Sequence, residues 1–97
     1  MKKVFASVLI TNFNKEKFLK KTLNSCENQS FKDKEVIIFD DCSTDNSLSV
    51  IKKYKNFKLI KNKKKIFKSA PLNQIYAINR LVKASKGEII FLLDGDD

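Results

Sequence analysis

Two apolar runs in this chain each stop abruptly in carboxylates, and that arrangement restricts the fold more than any other feature. Val36-Ile37-Ile38-Phe39 leads into Asp40-Asp41, and Ile89-Ile90-Phe91-Leu92-Leu93 leads into Asp94-Gly95-Asp96-Asp97. Short runs without a polar break read as strands covered on both faces, as in a parallel sheet. A covered strand that ends in acid delivers charge to one edge of the sheet, and open α/β sheets bind ligands at their carboxyl edge. Two carboxylates about 4 Å apart repel by about 1–4 kcal/mol at effective dielectrics from 80 down to 20. A divalent cation reverses that repulsion, and hard cations such as Mg²⁺ take oxygen ligands. The alternative is a solvated acidic turn, since Asp and Gly are turn formers in any case.

The stretches between these runs alternate in period. Val4 to about Thr11 reads as a first strand. Asn12-Phe13-Asn14 is the turn, with Asn14 placed to cap a helix over about 15–27 and Glu16 in its first turn. Phe18, Leu19, Thr22, Leu23 and Cys26 form the expected inner face of that helix. After the strand over 35–40, Ser43 or Thr44 is placed to cap a second helix to about Lys55, with Leu48, Ile51 and Tyr54 inward. A short strand over 57–60, a basic loop over 61–68 and a third helix follow. Ser69 caps that helix and Pro71 sits in its first turn. Leu72, Ile75, Ile78 with Ala77 beside it, Leu81 and Val82 supply its apolar stripe, and Gly87 is expected to end it in a left-handed conformation. The final strand spans 88–93.

The order βαβαβαβ predicts an α/β fold in three layers, Rossmann-like, with a parallel sheet and right-handed crossovers. All four strands then end at one edge. With strand order 3-2-1-4, the crevice opens between the first and fourth strands, flanked by the two acidic clusters.

Ninety-seven residues make one small domain. The two cysteines lack metal-ligand spacing and there is no histidine, so a Cys/His zinc site is improbable on these residues. The two cysteines fit a reducing compartment, and the cytosol is the expected location, with the inner face of the cell membrane as a further option. The formal charge of +9 is unevenly distributed: no acidic residue lies between Asp45 and Glu88. Such a surface attracts anionic lipid, nucleic acid or phosphorylated substrates, or simply keeps the chain soluble. The basic loop is expected to lie clear of any nucleotide, so that changing Lys63, Lys64 and Lys65 to Ser leaves nucleotide binding intact.

Neither GxGxxG nor GxxxxGK[ST] follows the first strand, which argues against a dinucleotide oxidoreductase and a P-loop NTPase. A Ser-His or Cys-His nucleophile is impossible without histidine. An acidic edge beside a basic loop suits a nucleoside diphosphate. Carboxylates accept from ribose hydroxyls or a base N–H, and a metal holds the phosphates.

Four stretches in order carry a family resemblance. Val8-Leu9-Ile10-Thr11-Asn12-Phe13-Asn14 resembles the opening strand of family 2 glycosyltransferases, and Asn28-Gln29-Ser30-Phe31 resembles their "NQTY". Phe39-Asp40-Asp41-Cys42-Ser43-Thr44-Asp45 is similar to "VDDGSTD", and Lys86 to Asp97 is similar to "KGEYIAFLDADD", which contains the DXD motif. The resemblance implies a GT-A fold and sugar transfer from a nucleotide donor, usually with inversion. It implies donor contacts at Thr11, Asn14, Asp41, Lys68 and Asp94. It also implies Mg²⁺ or Mn²⁺ at Asp96 with Asp94. Thr11 matches the base contact, Asp41 the nucleoside contact and Lys68 a basic residue near the diphosphate.

Two departures stand out: Cys42 replaces the usual Gly after the acidic pair, and a lysine-rich loop replaces the usual "NxGxxxARN" segment. The resemblance also places the family's acceptor-binding half and catalytic base beyond Asp97. Residues 1–97 are therefore expected to be the donor-binding part, inactive alone and prone to self-association. The acceptor, whether saccharide, lipid or protein, is not legible. A different class also fits: a non-catalytic nucleotide- or partner-binding α/β module. Peripheral contact with an anionic membrane is the further partner expected, and nucleic acid is disfavoured because no recognition motif is present.

Overall fold

The structure is a computed structural model that describes residues 5–29 and 33–94. Its elements follow the expected order: β1 (Ala6–Asn12), α1 (Glu16–Asn28), β2 (Lys34–Asp41), α2 (Ser47–Lys52), β3 (Lys58–Asn62), α3 (Ala70–Ala84) and β4 (Ile89–Asp94). The four strands form one parallel sheet in the order β3-β2-β1-β4, as predicted.

The pleat explains why β2 and the middle of β1 carry no polar break. Val8 pairs with Val36 and Ile10 with Ile38, and these side chains enter a core with Leu19, Leu23 and Cys26 of α1 and Val50 and Ile51 of α2. Their neighbours Leu9, Ile37 and Phe39 point the other way, against Ala77 and Leu81 of α3. Successive residues therefore serve opposite layers, and both must be apolar.

The helices depart from expectation in which side chains they bury. Leu19, Thr22, Leu23 and Cys26 of α1 are buried, but Phe18 is 54% exposed at the edge of that face. On α3 the sheet-facing line is Asn73, Ala77 and Leu81, at i, i+4 and i+8. Leu72, Ile75 and Val82 are exposed. Ala77 and Leu81 of the expected stripe face the sheet, whereas Leu72, Ile75 and Val82 turn away from it. The α2 helix ends at Lys52, three residues early, with Tyr54 nonetheless buried. On β4, which pairs only with β1 among the described residues, Ile89 to Leu92 are also exposed.

At the amino edge of the sheet, Gly87 has a different task from the one expected. Its φ is not positive. Instead it presses on β1: a Cβ there would lie 2.6 Å from the Ala6 carbonyl carbon and 2.7 Å from Ser7 Oγ. The Gly87 N–H donates to Ser7 Oγ at 2.8 Å, and Ser7 Oγ donates to the buried Glu35 carboxylate at 2.6 Å. Glu35 also accepts from the Lys86 N–H at 2.5 Å and from Lys58 Nζ at 3.2 Å. Burial alone would raise the Glu35 pKa, but the bonds from Ser7, Lys86 and Lys58 outweigh it and hold the carboxyl below its ordinary value. This knot fixes the start of β4 beside β1, and so fixes where β4 ends.

Candidate functional site

The carboxyl ends of β1, β2 and β4 meet the start of α3 around a cleft of about 190 Å³. Thr11, Asp41 and Asp94 all line it. The parallel register brings them there, since Thr11 lies opposite Asp94 and Asn12 opposite Asp40. Thr11 Oγ1 accepts from Gln74 Nε2 at 3.1 Å and lies 3.5 Å from Asp94 Oδ1.

The acidic pair divides its work. Asp40 is fully buried: its Oδ1 accepts from Asn12 Nδ2 at 2.9 Å and Ser43 Oγ at 2.7 Å, and its Oδ2 accepts from the Ser43 N–H at 3.0 Å. Those three bonds pin the β2–α2 turn. Asp41 instead faces the cleft, where it accepts from Lys65 Nζ at 2.8 Å and from Asn62 Nδ2 at 3.4 Å. The Lys65 ammonium also lies 3.5 Å from the centroid of the Phe13 ring, within cation–π range.

The basic loop is not clear of the cleft as expected, because Lys65, although exposed, lines it. Lys68 is exposed and lies outside the cleft lining, on the adjoining groove with Phe13, Ile66 and Phe67. Asn14 is also placed elsewhere. Its φ is 51°, and its Oδ1 accepts from the N–H groups of Thr44 at 2.7 Å and Asp45 at 3.2 Å, so it joins the β1–α1 and β2–α2 loops. Nor does it cap α1. The Glu16 N–H donates to Asp45 Oδ2 at 3.1 Å, Asp45 Oδ1 accepts from the Ser47 N–H at 2.9 Å, and Glu16 Oε1 accepts from the Asn46 N–H at 3.1 Å. Each helix start is thus served by an acid from the other side. Burial would raise the Asp45 pKa, but hydrogen bonds from Ser47 and the backbone prevail and lower it.

Cys42 adopts a φ of 56° immediately after Asp41. The tight turn usually given to glycine is made here by a residue that pays for it in strain.

The sequence reading missed Asn12, Phe13, Lys15, Lys65 and Gln74 as cleft residues. Asn12 has a chemical mark of its own. Its Nδ2 must face Asp40, and its buried Oδ1 is left with no hydrogen-bond partner. An orphaned buried acceptor costs about 1–3 kcal/mol unless a water or ligand donates to it. Asp96 lies outside the described residues. Among the described residues no group of three or more potential ligands could hold a metal. The cleft does offer the hard oxygens of Asp94 and Thr11 at a strand end. That partial set fits Mg²⁺, which takes one or two carboxylates and fills its sphere with water and phosphate. No helix among the described residues is long and apolar enough to cross a membrane.

Comparison with known proteins agrees with this geometry. The profile described as "Glycosyl transferase family 2" matches residues 7–97. The chain is 44% identical to the poly(ribitol-phosphate) beta-N-acetylglucosaminyltransferase TarP of Staphylococcus aureus, covering 100% of this chain and 29% of that protein. It superposes on the crystal structure of S. aureus TarS residues 1–349 with a TM-score of 0.85 at 31% identity, covering 97% of this chain and 28% of that one. TarS has also been solved with UDP-GlcNAc, where the TM-score is 0.81 at 29% identity, over 96% of this chain and 27% of that one. A mannosyltransferase of Pyrobaculum calidifontis, solved with GDP-Man and Mn²⁺, shares the fold at 20% identity and a TM-score of 0.80, over 97% of this chain and 28% of that one. The architecture is GT-A-like, and the chain spans under a third of the length of these relatives.

Proposed function

Because the chain belongs to glycosyl transferase family 2, we propose that its cleft binds the nucleoside diphosphate of a nucleotide-sugar donor for sugar transfer. The observation that carries this reading is the gathering of Thr11, Asp41 and Asp94 around one cavity at the carboxyl edge of the sheet. The solved complex of TarS with UDP-GlcNAc supports a UDP-sugar as the first donor to test.

The roles follow from charge. Asp41 accepts from neutral donors of the base or ribose, and the orphaned Asn12 Oδ1 offers a second acceptor nearby. Asp94, with Asp96, would hold Mg²⁺ or Mn²⁺. That cation supplies the positive charge that lets a diphosphate lie beside carboxylates. Lys15 and Lys65 line the same cleft, and Lys65 is placed to exchange Asp41 for a phosphate oxygen.

Calorimetry with UDP and UDP-GlcNAc, with and without Mg²⁺ or Mn²⁺, tests the proposal. Saturable binding strengthened by the metal is expected. Absence of binding in every condition would remove the donor reading.

A further inference from the structure

Between Lys61 and Lys68 the chain holds apolar side chains in water at a fixed place. Ile66 is 49% exposed and Phe67 40%. One side chain binds both backbone polar groups of Phe67: its N–H donates to Asn73 Oδ1 at 3.0 Å, and its carbonyl accepts from Asn73 Nδ2 at 2.8 Å. Asn73 is itself buried on the sheet-facing line of α3. The Phe67 ring meets Tyr76 edge-on, with centroids 6.3 Å apart. The tip is therefore fastened to α3 with its apolar groups outward. Lys61 near the end of β3, and Lys63, Lys64 and Lys68 in the loop, flank it in sequence and are all exposed. None of these four pairs with a carboxylate among the described residues. Lys65 is turned inward to Asp41.

From this arrangement we propose that the β3–α3 loop is a docking surface for an anionic lipid bilayer. Ile66 and Phe67 enter the interfacial layer, and the four lysines meet the headgroup phosphates. The two attractions are complementary, because a short apolar tip or a small basic cluster alone holds a protein to a membrane only weakly. A nucleic acid would use the same charge but not the same tip. Unpaired bases stack on free aromatic faces or on arginine, whereas Ile66 has no π face, the Phe67 ring is engaged by Tyr76, and the loop contains no arginine. The groove holding Phe67 and Lys68 adjoins the cleft through Phe13 and Asn73, so docking sets the mouth of the cleft at the level of the headgroups.

The chain contains no tryptophan, so Ile66→Trp gives a single fluorescent reporter at the tip. Its emission should shift to the blue with vesicles of phosphatidylserine and phosphatidylcholine in equal parts, and stay unchanged with pure phosphatidylcholine. In flotation of the otherwise unaltered chain, Lys63→Ser with Lys64→Ser should lower partitioning about 25-fold, from about fivefold per lysine. Ile66→Ser should lower it about fivefold or more through lost apolar burial. Circular dichroism checks that each variant keeps its fold. Absence of a blue shift on the mixed vesicles overturns the proposal. So does vesicle binding that Ile66→Ser leaves unchanged and a DNA duplex competes away, since the surface would then be a general polyanion site.

Discussion

Lys65 closes on Asp41 from 24 positions further along the chain, with 2.8 Å between Nζ and Oδ2. The pair joins the loop after β3 to the end of β2 in the lining of the cleft. The cleft then carries two carboxylates, Asp41 and Asp94, and two ammonium groups, Lys15 and Lys65. Removing Lys65 leaves an excess of negative charge facing an anionic ligand. Lys65→Ser should therefore weaken binding of UDP about tenfold, or about 1.4 kcal/mol, in low-salt calorimetry. Lys63→Ser with Lys64→Ser should leave it unchanged. Equal affinities for all three proteins would return Lys65 to the surface.

The two acidic clusters should separate by their need for metal. Asp41→Asn should cost about 1–3 kcal/mol of nucleotide binding whether or not Mg²⁺ is present, as for a lost hydrogen bond to a charged group. Asp96→Asn should abolish only the part of the affinity that metal adds. Titrations of both variants with and without Mn²⁺ check this, and a metal response that survives Asp96→Asn would remove Asp96 from the metal site.

Strain at Cys42 should be measurable in stability. A left-handed non-glycine residue costs about 1–2 kcal/mol, while glycine adds unfolded-state entropy worth about 0.5–1 kcal/mol. Cys42→Gly should therefore stabilise the chain by about 0.5–1 kcal/mol, a rise in Tm of several degrees for a domain of this size. A fall in Tm would mean that the Cys42 side chain contributes more than its backbone costs.

The knot at the amino edge predicts an acid transition. The Glu35 pKa is lower folded than unfolded, so its stabilisation is fully present above the ordinary glutamate range. It is lost as pH falls through the depressed folded value. Glu35→Gln should lower stability near neutral pH and flatten the decline on acidification. Urea unfolding across the acidic range checks it, and parallel curves for the two proteins would show that other carboxylates govern the decline.

Strand positions were legible because the apolar runs of β1 and β2 serve both layers at once, and β4 carries the same unbroken pattern although Ile89 to Leu92 are exposed. The positions of Thr11, Asp41 and Asp94 were legible for the same reason, since each sits where such a run ends. Helix faces were less so. On α3 the apolar pattern marks Ala77 and Leu81 together with Leu72, Ile75 and Val82, yet the sheet takes only the first two, because apolar character alone does not say which of two apolar faces meets the sheet. Lys65 was hidden among identical neighbours. Nothing local distinguishes it from Lys63 or Lys64, and only the tertiary positions of Asp41 and Phe13 select it. Gly87 was read as a left-handed helix end, whereas what requires glycine there is its close approach to Ala6 and Ser7 of β1.

The exchange between Glu16 and Asp45 bears on how the chain becomes ordered. Each acid satisfies backbone donors at the beginning of the other's helix, from about thirty residues away in sequence. The start of α1 therefore depends on the β2–α2 loop, and α2, whose Ser47 N–H is met locally by Asp45, depends on Glu16 for the Asn46 N–H. The first turn of each becomes stable only when β1 and β2 have already brought the two loops side by side. Amide protection at Glu16 and at Asn46 should consequently be gained and lost together, as one cooperative unit rather than two fraying ends.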